Sequence, residues 1–204
     1  MAARREHCGE HGRDWSGGFN VALTVGVLAD THIPDRQRDL PPAVLNVFRS
    51  AGVTAILHAG DVIHPRVLIA LEAIAPTYAV RGNRDIYFLH RLPLRRILTF
   101  AGVTVGMIHT HGTLWQYLTD KWEHLRRGVP FRRFEQRALA AFPEAGVVLF
   151  GHTHYPVCRW AGQQLLCNPG SPVRPIFRHL PPTVALLHFS TEGKVSGEMV
   201  FLTD

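Results

Sequence analysis

The chain has 204 residues, of which 46% are hydrophobic, so it is long enough to fill one well-packed core. No run approaches 18 consecutive apolar residues, which excludes a membrane-spanning helix. The formal net charge is +6, but the basic residues are spread along the chain. They form no tract of the kind that marks a nucleic-acid-binding arm.

The first 20 residues are polar and Gly-rich and lack the apolar stretch of a secretory signal. We therefore interpret residues 1–20 as a polar tail outside the fold and residues 21–204 as a single domain. A cytoplasmic location is the default expectation. His7, Cys8 and His11 invite a metal interpretation, but three ligand types within a polar tail are a weak signal.

The three cysteines are too few for a disulfide framework. A hairpin turning at Ala161-Gly162 would make Cys158 and Cys167 diagonal neighbours on one face. Directly opposed side chains approach more closely than diagonal ones, so we expect no disulfide between these two residues.

The first half of the chain alternates between strand and helix patterns. Apolar strands cover residues 21–29, 53–59 and 77–80, and helical patterns follow the first two in "AVLNVFRSA" and "PRVLIALEAI". This order predicts parallel strands joined by right-handed crossovers.

The second half has a different character. "RRILTFAGVTVGMIH" predicts two strands, and residues 114–141 are helical and Arg-rich. "GVVLF" predicts another buried strand, and two hairpins follow it. The predicted class is therefore α/β, with antiparallel strands towards the end.

Polar residues of ligand type follow the predicted strands. The carboxyl ends of parallel strands meet at one rim of a sheet, so these side chains should gather there. They are Asp30, His32, Asp61, Asn83, His111, His152 and His154. Mixed imidazole and oxygen ligands suit Mn, Fe, Ni or Zn.

Seven ligands exceed what one catalytic metal needs and fit two metals that share a carboxylate. Two metals about 3.5–4 Å apart hold a bridging hydroxide and clamp the attacking and leaving oxygens of a displacement at phosphorus. The pattern therefore predicts phosphoester chemistry.

Each motif alone has an ordinary explanation. Asp-x-His, Gly-Asp and Gly-Asn after a strand are more often turns than ligands. His-x-His is more specific, because alternation places both imidazoles on one side of an extended segment. Together with His111-Gly112 these make five motifs in order, each after a predicted strand, and five are improbable as unrelated turns. We assign no role to six isolated histidines, which are His58, His64, His90, His124, His179 and His188.

The motifs "DTH" (30–32), "GD" (60–61), "GN" (82–83), "HG" (111–112) and "GHTH" (151–154) resemble the hallmark blocks of the calcineurin-like metallophosphoesterase superfamily. The short chain and "NPGS" (168–171) are similar to its small YfcE-type branch, which includes the retromer small subunit. The resemblance covers roughly residues 21–202. It implies a four-layer α/β/β/α sandwich with two mixed sheets and a di-metal site on one rim.

The resemblance also implies a ligand set. One metal would be held by Asp30, His32, Asp61 and His154, and the other by bridging Asp61 with Asn83, His111 and His152.

Two of these placements leave alternatives. "IHTHGT" offers both His109 and His111, and the family's ligand stands immediately before a Gly, which selects His111. The pleat places both histidines on the same side, so geometry alone does not decide. "NPGS" is either a tight turn in which Asn168 supports a loop near the site or an ordinary Pro-Gly turn.

The residue after Gly-Asn departs from the family pattern. Many relatives carry a His there that protonates the leaving group, whereas this chain carries Arg84. Arg cannot serve as a proton donor near neutral pH. Because general acid catalysis contributes about 10²–10⁴-fold, we expect another donor or leaving groups that need little protonation. Arg84 would bind phosphate oxygens; alternatively, it pairs with Asp85 or faces solvent.

The sequence thus predicts a metal-dependent phosphoester hydrolase, with a phosphodiesterase favoured. Its catalytic residues would be Asp61, Asn83, Arg84 and His111, and Mn would be the preferred metal ahead of Ni, Fe, Co or Zn. The expected partner is a small phosphoester. The alternatives are a binding scaffold that keeps the fold, and a nuclease whose nucleic-acid surface would be residues 126–137.

Overall fold

Two β-sheets pack face to face in the computed structural model. The structure describes residues 4–8, 20–113, 115, 119, 122, 126, 128, 130–173 and 180–202. Its strands are β1 (Arg4–His7), β2 (Val21–Leu28), β3 (Ala55–His58), β4 (Thr77–Ala79), β5 (Arg95–Phe100), β6 (Val103–Ile108), β7 (Val147–Phe150), β8 (Val157–Ala161), β9 (Gln164–Asn168), β10 (Thr183–Ser190) and β11 (Val195–Phe201). The helices that lie wholly within the described residues are α1 (Pro42–Ser50), α2 (Pro65–Glu72) and α3 (Phe131–Ala141).

Both sheets are mixed. The first has the order β1-β11-β10-β2-β3-β4, in which β2, β3 and β4 are parallel. The second has the order β5-β6-β7-β9-β8, in which β6, β7 and β9 are parallel. Helices α1 and α2 connect β2 to β3 and β3 to β4, so the predicted alternation of strand and helix is confirmed.

Alternation along the strands separates three apolar layers. Val25 and Val27 of β2 face the second sheet, where they join a core built from both sheets. Leu28 faces the outer layer of α1 and α2. A third cluster lies under α3 on the far side of the second sheet. The four-layer α/β/β/α sandwich with two mixed sheets is thereby confirmed.

The N-terminal residues correct one expectation. Residues 4–7 form β1, which pairs antiparallel with β11 from Arg4↔Phe201 to His7↔Glu198. The interpretation of residues 1–20 as a tail outside the fold is therefore wrong for residues 4–8. The side chains of β1 are polar and exposed on both faces, so the segment lacks the alternation that predicts a strand.

The cysteines correct a second expectation. Ala161 pairs with Gln164, so the hairpin loop begins one residue later than predicted and Cys158 lies directly opposite Cys167. No bond joins those two residues, as expected. Instead, Cys158 forms a disulfide with Cys8, which links the N-terminal segment to the second sheet. Cys167 is free, and burial raises the pKa of its thiol to about 12.

In the ranges that the structure describes, none of the helices combines the length and the apolar character needed to cross a membrane.

Candidate metal centre

The candidate metal centre lies where strands of both sheets end. Asp30, Asp61 and Asn83 follow β2, β3 and β4 of the first sheet. His109 and His152 follow β6 and β7 of the second. The predicted gathering of polar residues at one rim is therefore observed, and the second sheet contributes its own parallel strand ends.

Five of the predicted ligands adopt a left-handed backbone conformation. Their φ angles are +53° at Asp30, +47° at His32, +56° at Asp61, +86° at His152 and +55° at His154. Non-glycine residues adopt this region rarely and at a cost of about 1–3 kcal/mol each. Such strain concentrates at functional sites, where the surrounding structure holds it in place.

The first group of ligand atoms comes from Asp30, His32 and His154, whose atoms lie within 4.8 Å of one another. The Nε2 atoms of His32 and His154 are 3.1 Å apart, and both side chains are almost fully buried. His154 Nε2 is 3.6 Å from Asp30 Oδ1, and His32 Nε2 is 3.5 Å from Asp61 Oδ2. The four residues assigned to the first metal therefore lie together.

The second group comes from Asp30, Asp61 and His109. His109 Nε2 lies 3.4 Å from Asp61 Oδ2 and 3.8 Å from Asp30 Oδ1. The His109 Nδ1 atom is 2.8 Å from the carbonyl oxygen of Ala59, so we assign the ring proton to Nδ1. Nε2 is therefore the ring nitrogen that faces the carboxylates, which is the orientation of many metal-bound histidines.

Asn83 and His152 lie next to this second group. Asn83 Oδ1 is 3.0 Å from His152 Nδ1, and the His152 ring contacts that of His109 edge-on with centroids 5.2 Å apart. The backbone N–H of His152 donates to Asp30 Oδ2 over 2.9 Å. These contacts place two further ligand types of the second metal beside its carboxylates.

His111 lies further from the carboxylates than the sequence-based choice implied. Its ring centroid is 5.7 Å from that of His109 and 6.5 Å from that of His152. It lines an adjoining cavity and is absent from both groups of converging ligand atoms. The assignment of His111 stays a prediction, and His109 is the histidine that the structure adds.

Burial and charge set the protonation of these groups. Burial raises the pKa of Asp30 to about 7. Burial would also raise the pKa of Asp61, but His109, His32 and the Arg84 N–H hold it below its usual range. Burial would lower the pKa of His109, but the charges of Asp61 and Asp30 outweigh it and raise the pKa to about 10.

The other histidines of the centre are neutral at pH 7. Burial lowers the pKa of His32 to about 4, of His152 to about 3 and of His154 to about 2. A neutral imidazole keeps the lone pair that a metal ligand needs. These three rings can therefore bind a metal ion at pH 7 without first losing a proton.

Asp85 is a site residue that the sequence did not reveal. Its fully buried carboxylate accepts backbone N–H groups of Asp61 over 3.0 Å, Ile63 over 2.6 Å and Gly82 over 2.7 Å. These bonds join the loop after β3 to the loop after β4. Asp85 thus fixes the backbone that carries Asp61 and Asn83, and it does not pair with Arg84.

Gly82 permits this close approach. A Cβ atom at position 82 would overlap both the carboxylate and the backbone nitrogen of Asp61. Only glycine therefore fits where the chain passes this close to Asp61.

"NPGS" supports the loop that carries His152 and His154. Asn168 Nδ2 donates to Thr153 Oγ1 over 3.0 Å, and Ser171 Oγ donates to the carbonyl oxygen of Asp30 over 2.8 Å. The supporting role of Asn168 is confirmed, and the ordinary-turn alternative does not describe it. His58, which was assigned no role, is buried and bonded to Thr31 and the N–H of Gly60.

Arg84 contacts the centre through its backbone. Its N–H donates to Asp61 Oδ1 over 2.8 Å, which turns Oδ2 towards His32 and His109. The guanidinium is 56% exposed and pairs with Asp35 at 3.0 Å. The observed partner is therefore Asp35 and not Asp85, and the side chain is largely exposed to solvent, in line with the second alternative.

The residues present fit divalent cations. Among the described residues, His109 Nε2 is buried without a hydrogen-bond partner, although it faces two carboxylates. Uncharged imidazoles, carboxylates and an amide oxygen form a donor set that suits first-row divalent metals.

The family model of the calcineurin-like phosphoesterase superfamily domain matches residues 23–192. The chain belongs to the calcineurin-like phosphoesterase superfamily. The resemblance drawn from the five motifs is therefore confirmed, and the superfamily together with the ligand groups supports metal-dependent phosphoester hydrolysis.

Relatives of the superfamily match over most of the chain. A probable metallophosphoesterase of Methanothermobacter thermautotrophicus is 36% identical over 178 residues, which is 87% of this chain and 92% of that protein. One from Methanocaldococcus jannaschii is 32% identical over 178 residues, 87% of this chain and 81% of that protein.

Solved structures of Vps29 share the fold. A single mutant of Vps29 from Entamoeba histolytica has a TM-score of 0.64 at 19% identity, covering 89% of this chain and 100% of that chain. The wild-type protein of that organism, solved in complex with Zn²⁺, has a TM-score of 0.63 at 19% identity, covering 88% and 99%.

Proposed function

We propose that this protein is a di-metal phosphodiesterase. The observation that carries the proposal is the pair of ligand groups, Asp30-His32-His154 and Asp30-Asp61-His109, which meet at the carboxylate of Asp30 at a buried rim. The carboxylate of Asp61 also lies between the two groups, with Oδ2 3.5 Å from His32 Nε2 and 3.4 Å from His109 Nε2. A carboxylate in that position can bridge two neighbouring cations, which supports Asp61 as the bridging ligand.

Some residues of the centre would bind the cations, and others orient the residues that do so. Asp30, His32, Asp61 and His154 would hold one cation, and Asp61, Asn83 and His152, with His111 or His109, would hold the other. When bound, such ions supply a hydroxide nucleophile at neutral pH and neutralise charge on the phosphate oxygens. The N–H of Arg84 and the carboxylate of Asp85 keep Asp61 aimed between the two sets.

The identity of residue 84 favours diesters with good leaving groups. Arg84 cannot protonate a departing alkoxide, but it lines the same cavity as Asn83, and its exposed guanidinium can bind non-bridging phosphate oxygens. A phosphodiester whose leaving group is a weak base needs no proton donor at this position.

Mn²⁺ is the proposed metal, with Ni²⁺, Fe²⁺, Co²⁺ and Zn²⁺ as the alternatives that the donor set admits. The proposed location is cytoplasmic. The Cys8–Cys158 disulfide is a feature more common in oxidising compartments, so fractionation under thiol-blocking conditions is the appropriate check.

The second candidate function is a binding scaffold, which the shared fold of Vps29 favours. A scaffold has no need of ligand side chains, yet all seven predicted positions carry ligand types and His32 and His154 converge to 3.1 Å. The nuclease alternative rested on residues 126–137, which lie partly outside the described residues, and nothing in the described part of that segment favours it over a small diester.

The test is turnover of bis(p-nitrophenyl) phosphate and p-nitrophenyl phosphate by protein stripped with a chelator and then supplied with each metal. We expect hydrolysis only after metal addition, with the diester preferred. His152→Ala should abolish it, whereas the control His188→Ala, which removes a histidine paired with Glu198 away from the rim, should not. Absence of turnover with every metal would support the scaffold instead.

A further inference from the structure

A cavity of about 840 Å³ adjoins the candidate metal centre. Asn83 and His111 line it and lie beside His152 and His109 of the centre. The segment from Arg81 to His90 supplies most of the lining residues and is called the cavity wall. This volume is far larger than one phosphate group needs and lies within the range of pockets that hold whole small molecules. The part of the substrate beyond the phosphate therefore has a place to bind.

The cavity carries positive charge next to the centre. Arg81 and Arg84 both line it, whereas Asp35 is the carboxylate among the described lining residues. Asp35 pairs with Arg84, and Arg81 donates to the carbonyl oxygen of His90 over 2.8 Å. The lining therefore carries two guanidinium groups against one carboxylate, and this excess of positive charge suits an anionic ligand such as a phosphodiester.

The same wall exposes large apolar side chains. Ile86 is 58% exposed and Tyr87 is 78% exposed, and both line the cavity; the adjoining Phe88 is 63% exposed. Three consecutive side chains of this kind are unusual on a surface without a binding role.

The segment is anchored so that these side chains stay outside. Asp85 is fully buried and is held by three backbone hydrogen bonds. Leu89 packs into the core formed with α1 and α2. The two anchors bracket residues 86–88. Tyr87 therefore presents an exposed aromatic ring in the same cavity as the arginines that would bind a phosphate. A flat ring of a ligand can stack on such a side chain.

From these observations we infer that the substrate is a phosphodiester in which one ester group carries a planar aromatic ring, such as an aryl or nucleoside ester. The phosphate lies at the Asn83 and Arg84 end, and the ring stacks on Tyr87 beside Ile86. The inference rests on the proposed function, because it assigns the retained ester group of the same reaction.

The experiment uses three diesters with the same leaving group, p-nitrophenol. They are the methyl, phenyl and thymidine 5′ esters of p-nitrophenyl phosphate. We expect kcat/KM for the two aromatic esters to exceed that for the methyl ester by about tenfold or more, chiefly through KM, because stacking on an aromatic side chain has this magnitude. Comparison of the phenyl and thymidine esters distinguishes an aryl from a nucleoside preference.

Two variants of Tyr87 test the contribution of its aromatic ring. Tyr87→Ala should reduce the aromatic esters to the level of the methyl ester, whereas Tyr87→Phe should retain the preference. Ile69→Ala is the matched control, because Ile69 is 65% exposed on α2 and lies outside the cavity lining. Equal rates for all three esters in the unmodified protein, or no change in Tyr87→Ala, would overturn the inference while leaving the phosphodiesterase intact.

A binding measurement keeps the inference testable if no ester is hydrolysed. Titration calorimetry of the Mn²⁺-supplied protein compares diphenyl phosphate with dimethyl phosphate. The inference predicts tighter binding of diphenyl phosphate that Tyr87→Ala removes, whether or not turnover occurs. Equal affinities for the two diesters would reject the aromatic subsite independently of the reaction.

Discussion

The metal centre and the cavity wall are adjacent but built in opposite ways. Asp30 and His109 of the centre are fully buried at strand ends, whereas Tyr87 of the wall is 78% exposed in a segment without regular secondary structure. The centre is held from both sheets, and the wall is held by the two anchors Asp85 and Leu89. If both proposals hold, the sandwich itself fixes the chemistry, and one short segment sets the choice of substrate.

The two regions meet at Asp85. The carboxylate of Asp85 accepts hydrogen bonds from the backbone of Asp61 and Gly82. The exposed residues 86–88 follow Asp85 directly in the sequence. Changes made on either side of this residue should therefore separate the rate of reaction from the choice of substrate.

Asp61→Asn should have the largest effect. The substitution keeps the shape of the side chain but removes the negative charge between His32 and His109. We expect kcat to fall by about 10²–10³-fold or more, as when one preorganised charged or polar group is removed from an active site. Steady-state kinetics at saturating metal measure it, and circular dichroism confirms folding. Retention of more than a tenth of the activity would contradict the role of Asp61.

Asp85→Asn should weaken metal binding without removing a ligand. Asn offers one oxygen where Asp85 uses two, so at least one of the three N–H groups loses its acceptor. We expect a loss of about 10–100-fold in metal affinity, the range seen when groups that orient metal ligands are changed. Calorimetric titration with Mn²⁺ measures it.

The control for Asp85 is Asp39→Asn, an exposed carboxylate paired with Arg38 on the surface. It should leave metal affinity unchanged. A loss of thermal stability in Asp85→Asn with unaltered metal affinity would show that Asp85 supports the fold alone.

Arg84→Ala should act on substrate binding. Loss of a charge-assisted contact with the phosphate corresponds to about 1–2 kcal/mol, or roughly a 5–30-fold rise in KM. Asp35→Asn removes the ion-pair partner but keeps the guanidinium, so its KM should not rise. If Arg84→Ala leaves both KM and kcat unchanged, the phosphate contact is wrong. Arg84→His should improve diesters with poor leaving groups, since it restores a proton donor.

Removal of the Cys8–Cys158 disulfide should have the smallest effect on catalysis. The bond joins residues 150 apart in sequence, and neither cysteine belongs to the groups of ligand atoms. We expect the double variant Cys8→Ser/Cys158→Ser to lose about 2–4 kcal/mol of unfolding free energy in denaturant titrations. Its kcat should be unchanged, and a change of more than twofold would show that the N-terminal strand influences the metal centre.

Most residues of the candidate centre were predicted from the sequence because the ends of strands can be recognised in it. Asp30, Asp61 and Asn83 each follow an apolar run, and parallel strands bring such ends to one rim. The choice between His109 and His111 was not decidable, because residues two apart share a side of an extended segment and only the tertiary fold shows which ring reaches the carboxylates.

Other features had no local signal. β1 is polar on both faces, so only its pairing with β11 reveals it. The Cys8–Cys158 bond depends on that pairing. The β8–β9 register was misplaced by one residue because the loop starts at Gly162, whose φ of +65° suits the first position of a two-residue hairpin turn. Asp85 was overlooked because a carboxylate that binds backbone N–H groups leaves no sequence pattern.

The most direct test of the central claim is the number of Mn²⁺ ions that the chelator-stripped protein binds in calorimetric titration. The account predicts two ions per chain in the unmodified protein. In His152→Ala it predicts one tightly bound ion, retained by Asp30, His32, Asp61 and His154. A single site in the unmodified protein, or no binding of Mn²⁺ or of the alternative metals, would contradict the di-metal centre.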